Sequence, residues 1–278
     1  MPELSQELTQ FIPVIVALIV TGVFAGLLAG LLGVGGGIVI VPVLYFVFQG
    51  LGVDAASAML VATGTSLATI IPTSISSIRA HHGKGNVDWP LLKRWAVFMI
   101  LGVLIGSYLV TVVNGNFFSL LFGVLAVLVS LNMLLRANAA PLAQSLPGMF
   151  GQGIMGSLIG FFSVMCGIGG GTLGVPTLTS CNYPAHKAVG TAAAFGLLIA
   201  LPGALMMLLQ GSTPADAPAG TYGLVNLPGL IAIVPLTVFF APIGASLGAK
   251  LNGAMLKKVF AVVLGITGVR MLIQVAMQ

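Results

Sequence analysis

The chain has very little charge. Only 5% of its 278 residues are charged, with 10 Lys and Arg against 5 Asp and Glu. A soluble domain usually carries about 25% charged residues, so this composition excludes a water-soluble globular protein. The basic residues lie in short loops between apolar runs, and the net charge of +5 therefore indicates membrane topology rather than a nucleic acid partner.

Catalytic and metal-binding groups are also scarce. The two cysteines, Cys166 and Cys181, lie within or beside apolar segments, and neither has a metal-ligand spacing to a histidine. The apolar runs contain no paired carboxylates, no Ser–His pair and no cluster of histidines. We therefore expect no enzyme activity, no metal and no cofactor. Residues 1–10 contain no Lys or Arg, so we expect an N-terminal tail and not a cleaved secretory signal.

Long hydrophobic runs, in contrast, fill most of the sequence. Most are long enough to cross about 30 Å of hydrocarbon as helices, whereas a β-barrel would show short alternating segments. The sequence thus predicts an all-α, multi-pass membrane protein. The runs are Phe11–Leu32, Ala55–Ile71, Leu91–Val113, Phe117–Leu135, Met149–Val164, Ala188–Leu209, Leu230–Gly248 and Val259–Val275.

An internal duplication divides the chain. "GVGGGIVIVP" at 33–42 matches "GIGGGTLGVP" at 167–176, and "ATGTS" at 62–66 resembles "AVGTA" at 188–192. Further on, six identities recur at one constant displacement, among them Pro90 with Pro228 and Gly106 with Gly244. A constant offset between matching residues over such a long stretch of sequence indicates an internal repeat. We predict a first repeat at 11–136, a linker at 137–147 and a second repeat at 148–278.

The charges of equivalent loops predict that the halves are inverted. Loop 79–94 holds four basic residues, whereas its equivalent, 210–227, holds none. The uncharged hairpin 113–116 corresponds to a hairpin that carries Lys250, Lys257 and Lys258. Inversion requires an odd number of crossings, so each half would have five segments: four long, and one short and broken by glycine. Five plus five segments would place both termini outside. The alternative is eight full spans, with re-entrant short segments and parallel halves.

The paired triple glycines predict a ligand site. Irregular backbone is tolerated at membrane depth only where it is buried in protein or lines a cavity, and glycine-interrupted segments in both halves are typical of transporter substrate sites. Backbone N–H groups and helix N-termini bind anions, and nearby hydroxyls add donors. The predicted substrate site comprises Gly35, Gly36, Gly37, Gly169, Gly170, Gly171, Thr172, Thr63, Thr65, Ser66, Thr191, His186 and Lys187. Asp54 is the candidate for ion coupling, because no apolar run has a carboxylate at its centre.

Four segments resemble the sulfite exporter TauE/SafE-like transporters: "GLLAGLLGVGGGIVIVP", "ATGTSLATIIPTSISS", "GSLIGFFSVMCGIGGGTLGVP" and "PAHKAVGTAAAF". The resemblance spans nearly the whole chain. It implies a bacterial inner-membrane protein that moves sulfite, sulfonates, sulfoacetate or related oxyanions. The family often has Thr-Ser in the second half where this chain has Thr191–Ala192, so one hydroxyl donor is absent there.

Three functions remain in competition. The leading hypothesis is a secondary carrier of a small sulfur-containing oxyanion that works by alternating access. The alternatives are a passive anion channel lined by the same glycine-rich segments and a carrier of a small carboxylate. The expected partners are the oxyanion, the lipid bilayer and, as one alternative, a second copy of the chain in a homodimer.

Overall fold

The computed structural model describes residues 2–135, 141–248 and 253–277, with the backbone alone for 2–11, 253–260 and 263. Within these ranges the chain forms ten helices and one antiparallel hairpin of β1 (Thr221–Tyr222) and β2 (Val225–Asn226). The prediction of an all-α membrane protein is confirmed. The helices are α1 (Pro2–Leu32), α2 (Gly37–Gly50), α3 (Ala55–His82), α4 (Trp89–Val112), α5 (Gly115–Leu135), α6 (Met149–Met165), α7 (Gly170–Ser180), α8 (Ala185–Leu209), α9 (Leu227–Leu247) and α10 (Gly253–Ala276).

Six of the described helices are long and apolar enough to cross a membrane, so the chain is a multi-pass membrane protein. Five helices precede the predicted linker and five follow it. Helix α1 already begins at Pro2 and includes most of the segment predicted as a tail. The structure does not describe residues 136–140, at the end of the first repeat and the start of the linker, and it does not describe Lys250. The orientation of the halves across a bilayer stays a prediction.

The two short segments are helices that begin at the glycines. Helix α2 starts at Gly37, the last of the first three glycines, and α7 starts at Gly170, the second of the other three. Gly36 caps α2 in the left-handed region at φ 81°, a conformation that favours glycine. Gly169 precedes α7 in an extended conformation. Neither cap residue has a side chain that could bond the free N–H groups of the first turn.

The helices pack across the two halves of the chain. Helix α1 packs on α9 and α6 packs on α4, while α3 pairs with α8 and α5 pairs with α10. Helices α3 and α8 are the most buried of the six candidate spans. The short helices α2 and α7 pack on α3 and α8 respectively. The two glycine turns, residues 33–37 and 167–171, are therefore held against the two central helices of the bundle.

Candidate functional site

The two glycine turns touch each other, backbone against backbone. A Cβ added at Gly37 would lie 2.4 Å from the Gly167 carbonyl oxygen, and one added at Gly171 would lie 2.0 Å from the Gly33 carbonyl oxygen. In the alignment of the two repeats, Gly37 corresponds to Gly171 and Gly33 corresponds to Gly167. The same contact thus occurs twice, once in each direction.

Gly35 and Gly169 lie at the middle of this contact. A Cβ at Gly169 would lie 3.1 Å from the Gly35 Cα, and a Cβ at Gly35 would lie 3.3 Å from the Gly169 Cα. Gly35 and Gly169, which the sequence alignment pairs, therefore face each other across this contact. The other two predicted glycines pack differently, since Gly36 lies against Ala25 of α1 and Gly170 lies against Phe195 of α8.

Two buried hydroxyls beside the turns have no hydrogen-bond partner among the described residues, namely those of Thr63 and Thr172. Thr63 is fully buried, and its Cα lies 2.8 Å from where a Gly167 Cβ would be. Thr172 is only 3% exposed and lies in the first turn of α7. It lines a cavity of about 10 Å³ together with Ile38, which occupies the equivalent position after the first triple glycine. Only the second half therefore supplies a hydroxyl at this position.

The other predicted hydroxyls take part in the packing of the turns. The Ser66 Oγ donates a hydrogen bond of 2.7 Å to the Gly167 carbonyl oxygen, which ties α3 to the second glycine turn. The Thr65 Oγ1 donates to the Val61 carbonyl oxygen and accepts a bond of 2.8 Å from the Asn226 N–H. Both side chains are fully buried, so these hydroxyls brace the helix that carries them.

Thr191 makes the equivalent contact in the other half. Its Oγ1 accepts a bond of 2.9 Å from the Asp88 N–H. Asp88 is the repeat equivalent of Asn226, since each lies two residues before one of the paired prolines, Pro90 and Pro228. The Asp88 carboxylate caps α4 by accepting from the Leu91 N–H, and the Asn226 amide oxygen caps α9 by accepting from the Gly229 N–H. Each Gly-Thr motif is thus clamped to the start of a long helix.

Sequence reasoning did not single out Asp88 or Asn226. The signal was present, since an Asp or Asn two residues before a proline is typical of a helix N-cap followed by proline in the first turn. "DWP" and "NLP" end in Pro90 and Pro228, which the sequence comparison had already paired.

The two caps differ in charge. The Asp88 carboxylate also accepts a hydrogen bond from the Tyr183 hydroxyl, before α8. Burial raises the pKa of Asp88, but the bonds from Tyr183 and from the Leu91 N–H outweigh it. The positive charges of Lys187 and Arg94 lower the pKa further, so the net pKa lies below its ordinary value. The carboxylate is therefore ionised at neutral pH, whereas Asn226 is neutral.

The three charged candidates lie at exposed helix starts. Asp54 caps α3 by accepting from the Ala56 N–H, and its own N–H donates to the Asp216 carboxylate at 2.7 Å. His186 and Lys187 lie in the first turn of α8, and both are exposed. The structure does not gather these side chains with the unpartnered hydroxyls of Thr63 and Thr172 in the bundle interior. Among the described residues, no group of three or more His, Cys, Asp or Glu is placed to hold a metal ion.

Comparison with known proteins identifies the family. The family model described as "Sulfite exporter TauE/SafE" matches residues 18–271. A probable membrane transporter protein of Haemophilus influenzae is 32% identical over 242 residues, which cover 87% of this chain and 92% of that protein. The probable membrane transporter protein YunE of Bacillus subtilis is 30% identical and covers 87% of this chain and 91% of its own length.

A more distant relative, a probable membrane transporter protein of Methanocaldococcus jannaschii, is 26% identical over 87% of this chain and 89% of its own length. No solved structure matches the chain. The matched range includes both glycine turns, both Gly-Thr motifs and both helix caps. The chain belongs to the sulfite exporter TauE/SafE family and is a membrane transporter.

Proposed function

We propose that the chain is a secondary carrier of a small sulfur-containing oxyanion, of the sulfite, organosulfonate or sulfoacetate type, and that it binds the anion where the two glycine turns meet. One observation carries this proposal. The N-terminal ends of α2 and α7 converge in the bundle interior, and the unpartnered hydroxyls of Thr63 and Thr172 lie beside them.

The chemistry of this meeting point favours an anion. The first turn of a helix has N–H groups without intrahelical acceptors, and the helix dipole places partial positive charge at the same end. Two such ends in a medium without bulk water attract negative charge more strongly than either would at a surface. An oxyanion accepts hydrogen bonds from N–H groups and hydroxyls alike, so Thr63 and Thr172 would complete its coordination.

The close packing of the turns supports a carrier over a channel. Gly33 and Gly171 approach so closely that even one added methyl group would clash with the backbone. An oxyanion is larger than a methyl group, so its entry requires the turns to separate. Each turn belongs to a different half, and separation of the turns therefore means movement of the halves. This coupling of binding to movement is what alternating access between inverted repeats requires.

Counterflow in proteoliposomes tests this function. Purified protein is reconstituted into liposomes preloaded with unlabelled sulfite, and the uptake of radiolabelled sulfite is measured. Competition by sulfate, thiosulfate, sulfoacetate, taurine and simple carboxylates then defines the cargo. A carrier gives uptake that is accelerated by the internal anion and that saturates. Uptake that stays linear with concentration and ignores the internal anion indicates a channel. If the protein exchanges a radiolabelled carboxylate but takes up no sulfite or other sulfur oxyanion, the sulfur oxyanions are removed as cargo.

A further inference from the structure

A groove of about 440 Å³ lies between α3 and α9, one helix from each half. Its walls are mainly apolar and include Pro72, Ile75 and Val238, while the Arg79 side chain stands at one end. From Pro72 to Arg79 is seven residues, so the groove extends about 10 Å along α3. Arg79 lies in the last turn of α3 and is exposed.

Most polar groups around the groove already have hydrogen-bond partners, but the Arg79 guanidinium does not among the described residues. Pro242 has no N–H, so the Val238 carbonyl lacks its usual helix partner, and the Ser76 hydroxyl donates to this oxygen at 2.9 Å. The neighbouring cation Lys84 donates to the Ala245 carbonyl oxygen at 2.6 Å, near the end of α9. For the Arg79 guanidinium, the described part of the chain offers no hydrogen bond or ion pair.

The predicted topology places the arginine end of the groove at the cytoplasmic surface, because loop 79–94 carries four basic residues. The cytoplasmic leaflet contains anionic lipids, which attract Lys and Arg near the surface by about 1 kcal/mol each. An amphiphile with a phosphate at one end and a hydrocarbon chain at the other therefore matches this groove in both charge and polarity.

We propose that the groove between α3 and α9 binds one anionic phospholipid, with the phosphate on Arg79 and an acyl chain along the apolar wall towards Pro72. Helix α3 belongs to the first half and α9 to the second, and the Thr73 and Thr237 hydroxyls are bonded to each other between them. The bound lipid therefore joins the two halves at the cytoplasmic end. The lipid site does not depend on which anion the protein carries.

Native mass spectrometry of the purified full-length protein tests the proposal. Phosphatidylglycerol and phosphatidylcholine with identical acyl chains are titrated separately, and the occupancy of the first lipid adduct is measured. We expect phosphatidylglycerol to bind more tightly, and we expect Arg79→Gln to weaken its binding about fivefold, which corresponds to the loss of one surface cation. Ala80 also lines the groove. Ala80→Phe keeps the charge but fills the groove, so it should weaken binding of both lipids.

The matched control is Lys93→Gln. Lys93 is an exposed cation near the start of α4 and does not line the groove, so this variant should bind phosphatidylglycerol like the wild type. Circular dichroism confirms that each variant is folded. Equal affinity for the two lipids, or wild-type phosphatidylglycerol binding by folded Arg79→Gln, would overturn the proposal. Displacement of the lipid by water-soluble glycerol 3-phosphate would also overturn it, because the apolar wall would then contribute nothing.

Discussion

The contact between the glycine turns predicts a large effect from a single methyl group. In Gly171→Ala, the new Cβ would lie 2.0 Å from the Gly33 carbonyl oxygen and 2.6 Å from the Val34 Cα. Ordinary contacts of a Cβ begin near 3.4 Å, so one turn must move by more than an ångström. The obstacle is backbone held between two central helices, and it cannot rotate away as a side chain would.

The expected cost is about 3 kcal/mol, at the upper end of the range for overpacked cores. For a protein of this size, that cost corresponds to a fall of roughly 6–12 °C in the unfolding temperature. We also expect the variant to lose anion exchange in proteoliposomes, because the altered turn carries the N-terminal end of α7. Gly37→Ala should behave in the same way, since its Cβ would lie 2.4 Å from the Gly167 carbonyl oxygen.

The control is Gly50→Ala, in the last turn of α2, where an added Cβ meets nothing within 4 Å. This variant should unfold at or above the wild-type temperature, because alanine is the better helix former, and it should transport normally. If Gly171→Ala matched Gly50→Ala in both unfolding temperature and anion exchange, the two turns could not be in contact as described.

Further predictions concern the helix caps. Asp88→Asn should retain the cap of α4, as Asn226 does for α9, whereas Asp88→Ala should lose about 1 kcal/mol of stability in denaturant unfolding. Because the pKa of Asp88 is depressed, the stability due to its charge is present above its unfolded pKa and lost as the pH falls through the folded value. The difference in unfolding temperature between wild type and Asp88→Asn should therefore vanish in acid, and a constant difference from pH 7 to pH 3 would contradict this assignment. Thr65→Val and Thr191→Val should each lower the free energy of unfolding by about 1–3 kcal/mol, since each leaves the N–H of a helix-cap residue without its acceptor. If either variant were as stable as the wild type, that threonine would not hold the helix cap as described.

The sequence was sufficient for the membrane fold and for the two glycine turns. Low charge and long apolar runs leave few alternatives to a helical bundle, and the alignment of the two repeats pairs Gly35 with Gly169 without any structure. The glycine runs also indicate where the two short helices begin, because glycine weakens a helix. Gly37, Gly170 and Gly171 nevertheless already lie within α2 and α7.

The roles of the hydroxyls could not be predicted in the same way. "ATGTS" and "AVGTA" show that hydroxyl groups are present, but only tertiary contacts decide which of these hydroxyls form hydrogen bonds. The Thr65 and Thr191 hydroxyls accept hydrogen bonds from backbone N–H groups that lie 161 and 103 residues away along the chain. The Thr172 hydroxyl, in contrast, has no hydrogen-bond partner among the described residues. Asp54, the candidate for ion coupling, is an exposed cap of α3, and its coupling role stays a prediction.

The Thr172 hydroxyl offers a test of whether the meeting point of the two glycine turns binds the anion. Thr172→Val keeps the shape of the side chain and removes a buried hydroxyl that has no partner among the described residues. The measurement is the affinity for sulfite of purified wild type and variant by isothermal titration calorimetry, with unfolding temperatures recorded without sulfite.

We expect the sulfite-free variant to be at least as stable as the wild type, because an unpartnered buried hydroxyl costs free energy. We also expect sulfite to bind about tenfold or more weakly, as for the loss of a hydrogen bond to a charged group. Unchanged sulfite affinity in a stable Thr172→Val protein would place the anion elsewhere than at the meeting point of the turns.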